Sequence, residues 1–243
     1  MGLVAQGCAP SRGPWDAMPT VEELGFATRS VTNIVVDDGY GVAFRLDRNI
    51  WIAPRHIIDS GAGGTKAVAG SVTPIHGIGD RAQIVLIGEL TDRFRDDWVL
   101  LREDVREREN DLAGAPLIAR DTSEPKTGER VLLLYPHHGD SATDEPQSAS
   151  VLAAEVVDQP LSLLGRGTKY EGCFFVSWGA GLPGPGLSGV PVLRRADGES
   201  RLVGMVIGGV RSSLLFGAEN YPYLIVKSIA TSRDPAPQIY SGR

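Results

Sequence analysis

Ser188 stands in Pro185-Gly186-Leu187-Ser188-Gly189-Val190-Pro191-Val192, a serine set between two glycines with a proline just beyond. Such a loop can present a nucleophile. The hydroxyl must stand clear of the backbone while nearby amide N–H groups turn inward to hold a developing oxyanion, and glycine lets the chain make that turn. The same string also suits a plain Gly/Pro surface turn, so the partners of the serine decide between the two. A serine oxygen is a weak nucleophile until a base takes its proton, and the base needs a third group to orient it. His56 lies in Ile50-Trp51-Ile52-Ala53-Pro54-Arg55-His56-Ile57-Ile58, directly after an apolar strand-like run. Asp97 lies in Asp96-Asp97-Trp98-Val99-Leu100-Leu101, leading directly into another. A rigid β scaffold can bring such strand ends together, so that the acid orients the imidazole and the imidazole deprotonates the serine. The order His, Asp, Ser puts base and acid in the first half of the chain and the nucleophile in the second.

The scaffold is legible as short β-type runs broken by Gly, Pro, Asp and Asn. Residues 41–46, 50–54, 83–90 and 97–102 read as strands of a first half; 130–135, 150–158, 173–178, 189–194, 202–209 and 222–227 read as strands of a second. Strands at this spacing, with almost no helical periodicity, argue for barrels or a sandwich. A chain of 243 residues with 42% apolar content can bury a sizeable core. Only residues 226–232 look helical. The expected organisation is an N-terminal arm over 1–25, a first β-barrel over 26–112 carrying His56 and Asp97, a crossing over 113–129, and a second β-barrel over 130–243 carrying Ser188. The arm's first twenty residues, rich in Pro and Gly, are expected to drape over the surface.

Five segments resemble, in order, the landmarks of the trypsin/chymotrypsin-like serine peptidases. They are Gly41-Val42-Ala43-Phe44, Ile52-Ala53-Pro54-Arg55-His56, Asp97-Trp98-Val99-Leu100-Leu101, Gly128-Glu129-Arg130-Val131 and Gly186-Leu187-Ser188-Gly189-Val190-Pro191. The Gly128–Pro136 stretch is most similar to the bacterial branch of that family. The resemblance spans about residue 30 to residue 230. It implies an all-β fold of two six-stranded antiparallel barrels with a short C-terminal helix. It also implies serine endopeptidase activity through an acyl-enzyme, with His56, Asp97 and Ser188 as catalytic residues and the backbone N–H groups of Gly186 and Ser188 as oxyanion hole. Between the neighbours Asp96 and Asp97, the family's D-x-x-L-L pattern selects Asp97. The strand Leu202–Gly209 resembles the edge against which these enzymes align substrate, with main-chain bonding at Ile207 and Gly209. Leu182, Gly208 and Tyr223 complete the implied substrate pocket, and Leu182 in place of an acid implies an uncharged P1 residue; Glu219 is the one nearby acid that would argue otherwise.

Three departures from the family pattern stand out. Leu187 stands where the zymogen-activated branch has Asp, and the Ile-Val-Gly-Gly start that would pair with it is absent, so N-terminal trimming is not expected to activate. Val190 replaces a second glycine, and Pro54-Arg55 replaces small residues before the histidine.

Other chemistry is less well supported. His137 and His138 with Asp140 and Asp144 lack an evident third metal ligand, and adjacent histidines on extended backbone point apart; no metal and no cofactor are expected. His76 reads as a loop residue. An α/β-hydrolase esterase needs its acid and base after the serine, and no histidine follows His138. Net charge is −6 with scattered basic residues, which argues against nucleic acid. No run reaches membrane-spanning length. Two cysteines, Cys8 and Cys173, are too few for a disulfide framework, and Cys173 in Cys173-Phe174-Phe175-Val176 reads as a small buried hydrophobe. With no signal-peptide pattern at the start, a cytoplasmic setting is expected. The bias to Arg over Lys, with Ala and Gly richness, suggests a GC-rich bacterial source. The expected partners are a protein or peptide substrate and a regulatory protein. The rival reading is a catalytically silent trypsin-like module that binds peptides.

Overall fold

Two apolar runs, Ile50–Ala53 and Val99–Leu101, are buried at every position, and the fold explains why alternation fails in both. The computed structural model describes residues 19–36, 39–47, 49–61, 72–75, 78–87, 97–103, 117–137, 148–160, 163, 170–177, 186–210 and 222–229. Within these, β1 (Val31–Val36), β2 (Gly39–Asp47), β3 (Ile50–Ala53), β4 (Val72–Ile75), β5 (Gly79–Ile87) and β6 (Val99–Glu103) form one antiparallel sheet in the order β1-β2-β3-β6-β5-β4. Successive side chains on a strand face opposite ways. Ile50, Ile52 and Leu100 join the large core shared with the second half of the molecule. Trp51, Ala53, Val99 and Leu101 instead fill the interior of the first sheet with Ile34, Ile75 and Ile84. Both faces are covered, so both are apolar.

The second half contains β7 (Arg130–His137), β8 (Ser148–Val157), β9 (Cys173–Ser177), β10 (Pro191–Ala196), β11 (Glu199–Val210) and β12 (Tyr223–Ser228), closed into an antiparallel barrel in the order β10-β11-β12-β9-β8-β7. Closure removes sheet edges, and register shifts at Val192/Leu193 and Val206/Gly208 mark bulges that help the strands curl. The first sheet is a half-barrel: its edge strands β1 and β4 lie near each other, with no ladder between them among the described residues. The all-β double-barrel architecture is therefore observed, with one barrel closed and one partly open.

The expected C-terminal helix gives way to strand where it can be seen. Val226 pairs with Val206 and Phe174, and Lys227 pairs with Met205 and Cys173. A segment flanked on both sides by barrel strands finds its backbone partners there. Residues 230–232 lie outside the described residues.

Two helices occur among the described residues, and neither was expected. α1 (Val21–Arg29) begins with a capping box in which the Thr20 hydroxyl accepts from the Glu23 N–H and the Glu23 carboxylate accepts from the Thr20 N–H. It straddles the expected boundary at residue 25. It buries Phe26 and Ala27 in the large core, worth about 2–3 kcal/mol for the phenylalanine. Its Glu23 is fully buried, and the carboxylate accepts from Arg195 Nε at 2.7 Å, Arg195 Nη2 at 2.5 Å and the Ser200 hydroxyl. α1 is thereby pinned to the β10–β11 hairpin. α2 (Arg55–Gly61) follows β3 directly.

The crossing segment is also fastened. Arg120 bridges to Leu202, while Arg194 on β10 donates to Asp121 and to Glu129, the latter at 3.0 Å. Arg194 and Arg195 are neighbours on one strand and face opposite ways, so β10 braces the crossing on one side and α1 on the other. Cys173 is partly buried against the large core.

Candidate active site

Pro54 ends β3, and the chain turns at once into α2, which places His56 in the first helical turn rather than at the end of a strand. Asp97 sits two residues before β6, the strand that pairs with β3 in the register Ala53↔Val99. The pairing brings the acid beside the histidine. His56 Nδ1 lies 2.5 Å from Asp97 Oδ2, and the His56 backbone N–H donates to Asp97 Oδ1 at 2.8 Å. Both carboxylate oxygens are engaged, which fixes the acid as well as the ring. An ionised carboxylate only accepts, so the bond at Oδ2 calls for a proton on Nδ1. The Asp97 side chain is 4% exposed and that of His56 32%; the acid is sealed, while the imidazole reaches solvent.

Ser188 arrives from the second half. The Val190 N–H donates to the Leu187 carbonyl at 3.1 Å, closing a tight turn with Ser188 and Gly189 at its centre. Gly189 has φ +98°, the left-handed value that the third position of a type II turn requires. The turn is pressed onto the first sheet. The Ser188 carbonyl accepts from the Val42 N–H at 2.8 Å. A Cβ on Gly189 would stand 1.7 Å from the Val42 oxygen and 3.0 Å from Pro54 Cδ, so no other residue fits there. The base of the serine loop thus touches Pro54, two residues before His56. On the other side it is tied to β11, through Gly189 N–H to Val206 O at 2.7 Å and Val206 N–H to Val190 O at 2.9 Å.

Leu187 is 8% exposed and packs in the large core. The site where an acid would be needed for an ion pair with a chain terminus is apolar. Val190 is fully buried in the same core, so the fold uses its side chain for packing. Arg55 is buried too and donates from Nε to Asp59 Oδ2 at 3.1 Å, one helical turn on.

Of the expected substrate residues, Ile207, Gly208 and Gly209 lie on β11, and Tyr223 opens β12 opposite Ser177 and Val210. β10 accompanies β11 only as far as Met205. Beyond it, β11 pairs with β12 on one side, and among the described residues no strand pairs on the other. Leu182, Asp96, His76, His138, Asp140, Asp144 and Glu219 lie outside the described residues. Among the described residues, no cluster of three metal-ligating side chains occurs, and no helix is long and apolar enough to cross a membrane.

Sequence reading overlooked Tyr40. On β2, it sits with its ring edge against Gly186, where a Cβ would meet Tyr40 Cε1 at 2.7 Å. No short-range signal links the two positions; the contact exists only once both halves are folded.

No protein-family model matches this chain, and no curated protein matches it in sequence. Solved structures do. Rv3671c from M. tuberculosis H37Rv, a serine-to-alanine mutant in an inactive form, is similar at 13% identity and TM-score 0.50, covering 88% of this chain and 86% of that one. The Rv3671c protease in its inactive form is similar at 14% identity and TM-score 0.50, covering 88% and 89%. The active form of the M. tuberculosis protease is also similar at 14% and 0.50, covering 88% and 81%. At such identity the likeness concerns architecture. The chain has the trypsin-like double-barrel fold of these protease structures.

Proposed function

We propose that this protein is a serine endopeptidase. The observation that carries the reading is the His56–Asp97 pair, a sealed carboxylate holding Nδ1 at 2.5 Å, in the same corner of the first sheet that receives the Ser188 turn. Ser188 Oγ attacks the scissile carbonyl carbon as His56 Nε2 takes its proton; the C–N bond then breaks, and His56 returns the proton to the leaving amine. Asp97 stabilises the imidazolium meanwhile. The N–H groups of Gly186 and Ser188 hold the oxyanion. Water, deprotonated by the same imidazole, attacks the acyl carbon, and the C–Oγ bond breaks as His56 returns the proton to Ser188. The half-paired edge of β11 supports substrate binding as an added strand at Ile207 and Gly209, and Gly208 and Gly209 leave the pocket wall open to an uncharged P1 side chain above Tyr223. Buried Leu187, in place of an ion-pairing acid, supports control by a partner protein instead of by N-terminal processing.

The test is digestion of an unstructured protein such as casein by the parent chain and by Ser188→Ala, with the new N-termini sequenced. Cleavage by the parent alone, predominantly after uncharged residues, is expected. Cleavage by neither protein, with both folded and both retaining bound peptide, would favour the silent binding module; cleavage after Arg or Lys would overturn the assigned specificity.

A further inference from the structure

Gly186 has φ +118° and no side chain, so its own chemistry leaves the direction of its N–H loosely held. Beside it stands the ring of Tyr40. The Cβ position of Gly186 lies 2.7 Å from Tyr40 Cε1 and 3.2 Å from Cδ1, so the ring edge fills the volume that a side chain would have occupied. The far end of that ring is anchored in turn. Asn33 on β1, itself 3% exposed, donates from Nδ2 to the Tyr40 hydroxyl at 2.7 Å. The hydroxyl is also hydrogen-bonded to Tyr135 on β7. Burial, then the neighbouring Tyr135, push the Tyr40 phenol up to about 12 against the bond from Asn33. One phenol thus bridges the two halves of the molecule, and its ring leans on the loop between them.

We propose that Tyr40 is a positioning residue for the reaction, holding the Gly186 N–H on the oxyanion through a hydroxyl fixed by Asn33 and Tyr135. The proposal rests on the reading of Ser188 as nucleophile and of Gly186 as an oxyanion donor. Loss of an oxyanion donor outright costs about a hundredfold or more in turnover; a donor still present but loosely aimed costs less, on the order of tenfold.

The experiment compares the parent with Tyr40→Phe, Tyr135→Phe and the double variant. It measures three quantities: the rate at which a fluorophosphonate labels Ser188, whose phosphoryl oxygen sits where the oxyanion would; kcat and KM on a peptide ester; and the thermal midpoint. The expected result is a fall of about tenfold in labelling rate and kcat for each single variant, an unchanged KM, and a double variant no worse than either single, since both act through one ring. A thermal midpoint near the parent's separates this from general loosening of the fold. Labelling of Tyr40→Phe at the parent rate overturns the proposal and leaves the serine reading intact, as does a fall that merely follows the folded fraction. A folded parent that is not labelled at all overturns both. If Tyr40→Phe does not fold, Tyr135→Phe, which leaves the ring in place, decides alone by the same readouts.

Discussion

Changing Asp97 to Asn keeps the shape of the acid and removes its charge. The amide can offer an N–H where Oδ2 now accepts from His56 Nδ1, and that would force the imidazole into the tautomer whose Nε2 is protonated. A protonated Nε2 is no base. Turnover of D97N is therefore expected to fall about 10⁴-fold while circular dichroism stays unchanged; retention of a tenth of parental activity would contradict the role given to this pair. Gly189→Ala tests the loop itself. A methyl group 1.7 Å from the Val42 oxygen, at a φ that alanine avoids, must push the serine turn off the first sheet. We expect loss of fluorophosphonate labelling together with a lower thermal midpoint. Normal labelling by G189A would mean that the turn sits elsewhere.

Between elements, the strongest tie to test is α1 on the β10–β11 hairpin. Burial pushes the Glu23 carboxyl up, but the bonds from Arg195, Ser200 and the Thr20 N–H outweigh it and hold the group below its ordinary value. A carboxyl lowered on folding contributes stability above its unfolded value, about 4.3, and that contribution is lost as pH falls through the folded one. The midpoint gap between parent and Glu23→Gln should therefore be widest near neutrality and narrow below about pH 4. Glu23→Ala, which removes the fully buried acid that accepts from Arg195, Ser200 and Thr20, should cost about 3–5 kcal/mol in denaturant unfolding; a cost under about 1 kcal/mol would mean that α1 is not held this way. Asp121, lowered to about 2 against its own burial by Arg194 and Ser123, adds a second acid-labile tie, lost between about pH 4 and 2.

The same elements show what a sequence can reveal. Ten strands were legible because their apolar runs are long or flanked by clear turns. The two that were missed, β1 and β4, are the edges of the first sheet, and β4 contains Pro74, tolerated only where no inner neighbour needs its N–H. α1 carries a readable capping box, Thr20-x-x-Glu23, but its buried glutamate interrupts the apolar stripe by which an amphipathic helix is recognised. The segments that carry His56, Asp97 and Ser188 stood out in the sequence because each is a local motif. Tyr40, Asn33 and Tyr135 did not, because their association depends on strand register and on the meeting of two halves.

At the scale of the whole molecule, the serine turn is held from both sides, by Val42 and Pro54 of the first sheet and by Val206 of the second barrel. Leu187 contributes an apolar plug at that junction, where a zymogen would need a charge. Removing residues 1–18 should leave turnover unchanged, and cutting near residue 30 should lower stability by releasing α1 without raising turnover. A sharp rise after either cut would show an activation switch that this core does not provide for. Whether the junction activates Ser188 is decided by intact-mass measurement after fluorophosphonate treatment of the parent chain and of Ser188→Ala. One adduct is expected on the parent and none on the variant. An unlabelled, folded parent, or equal labelling of both proteins, would contradict that activation.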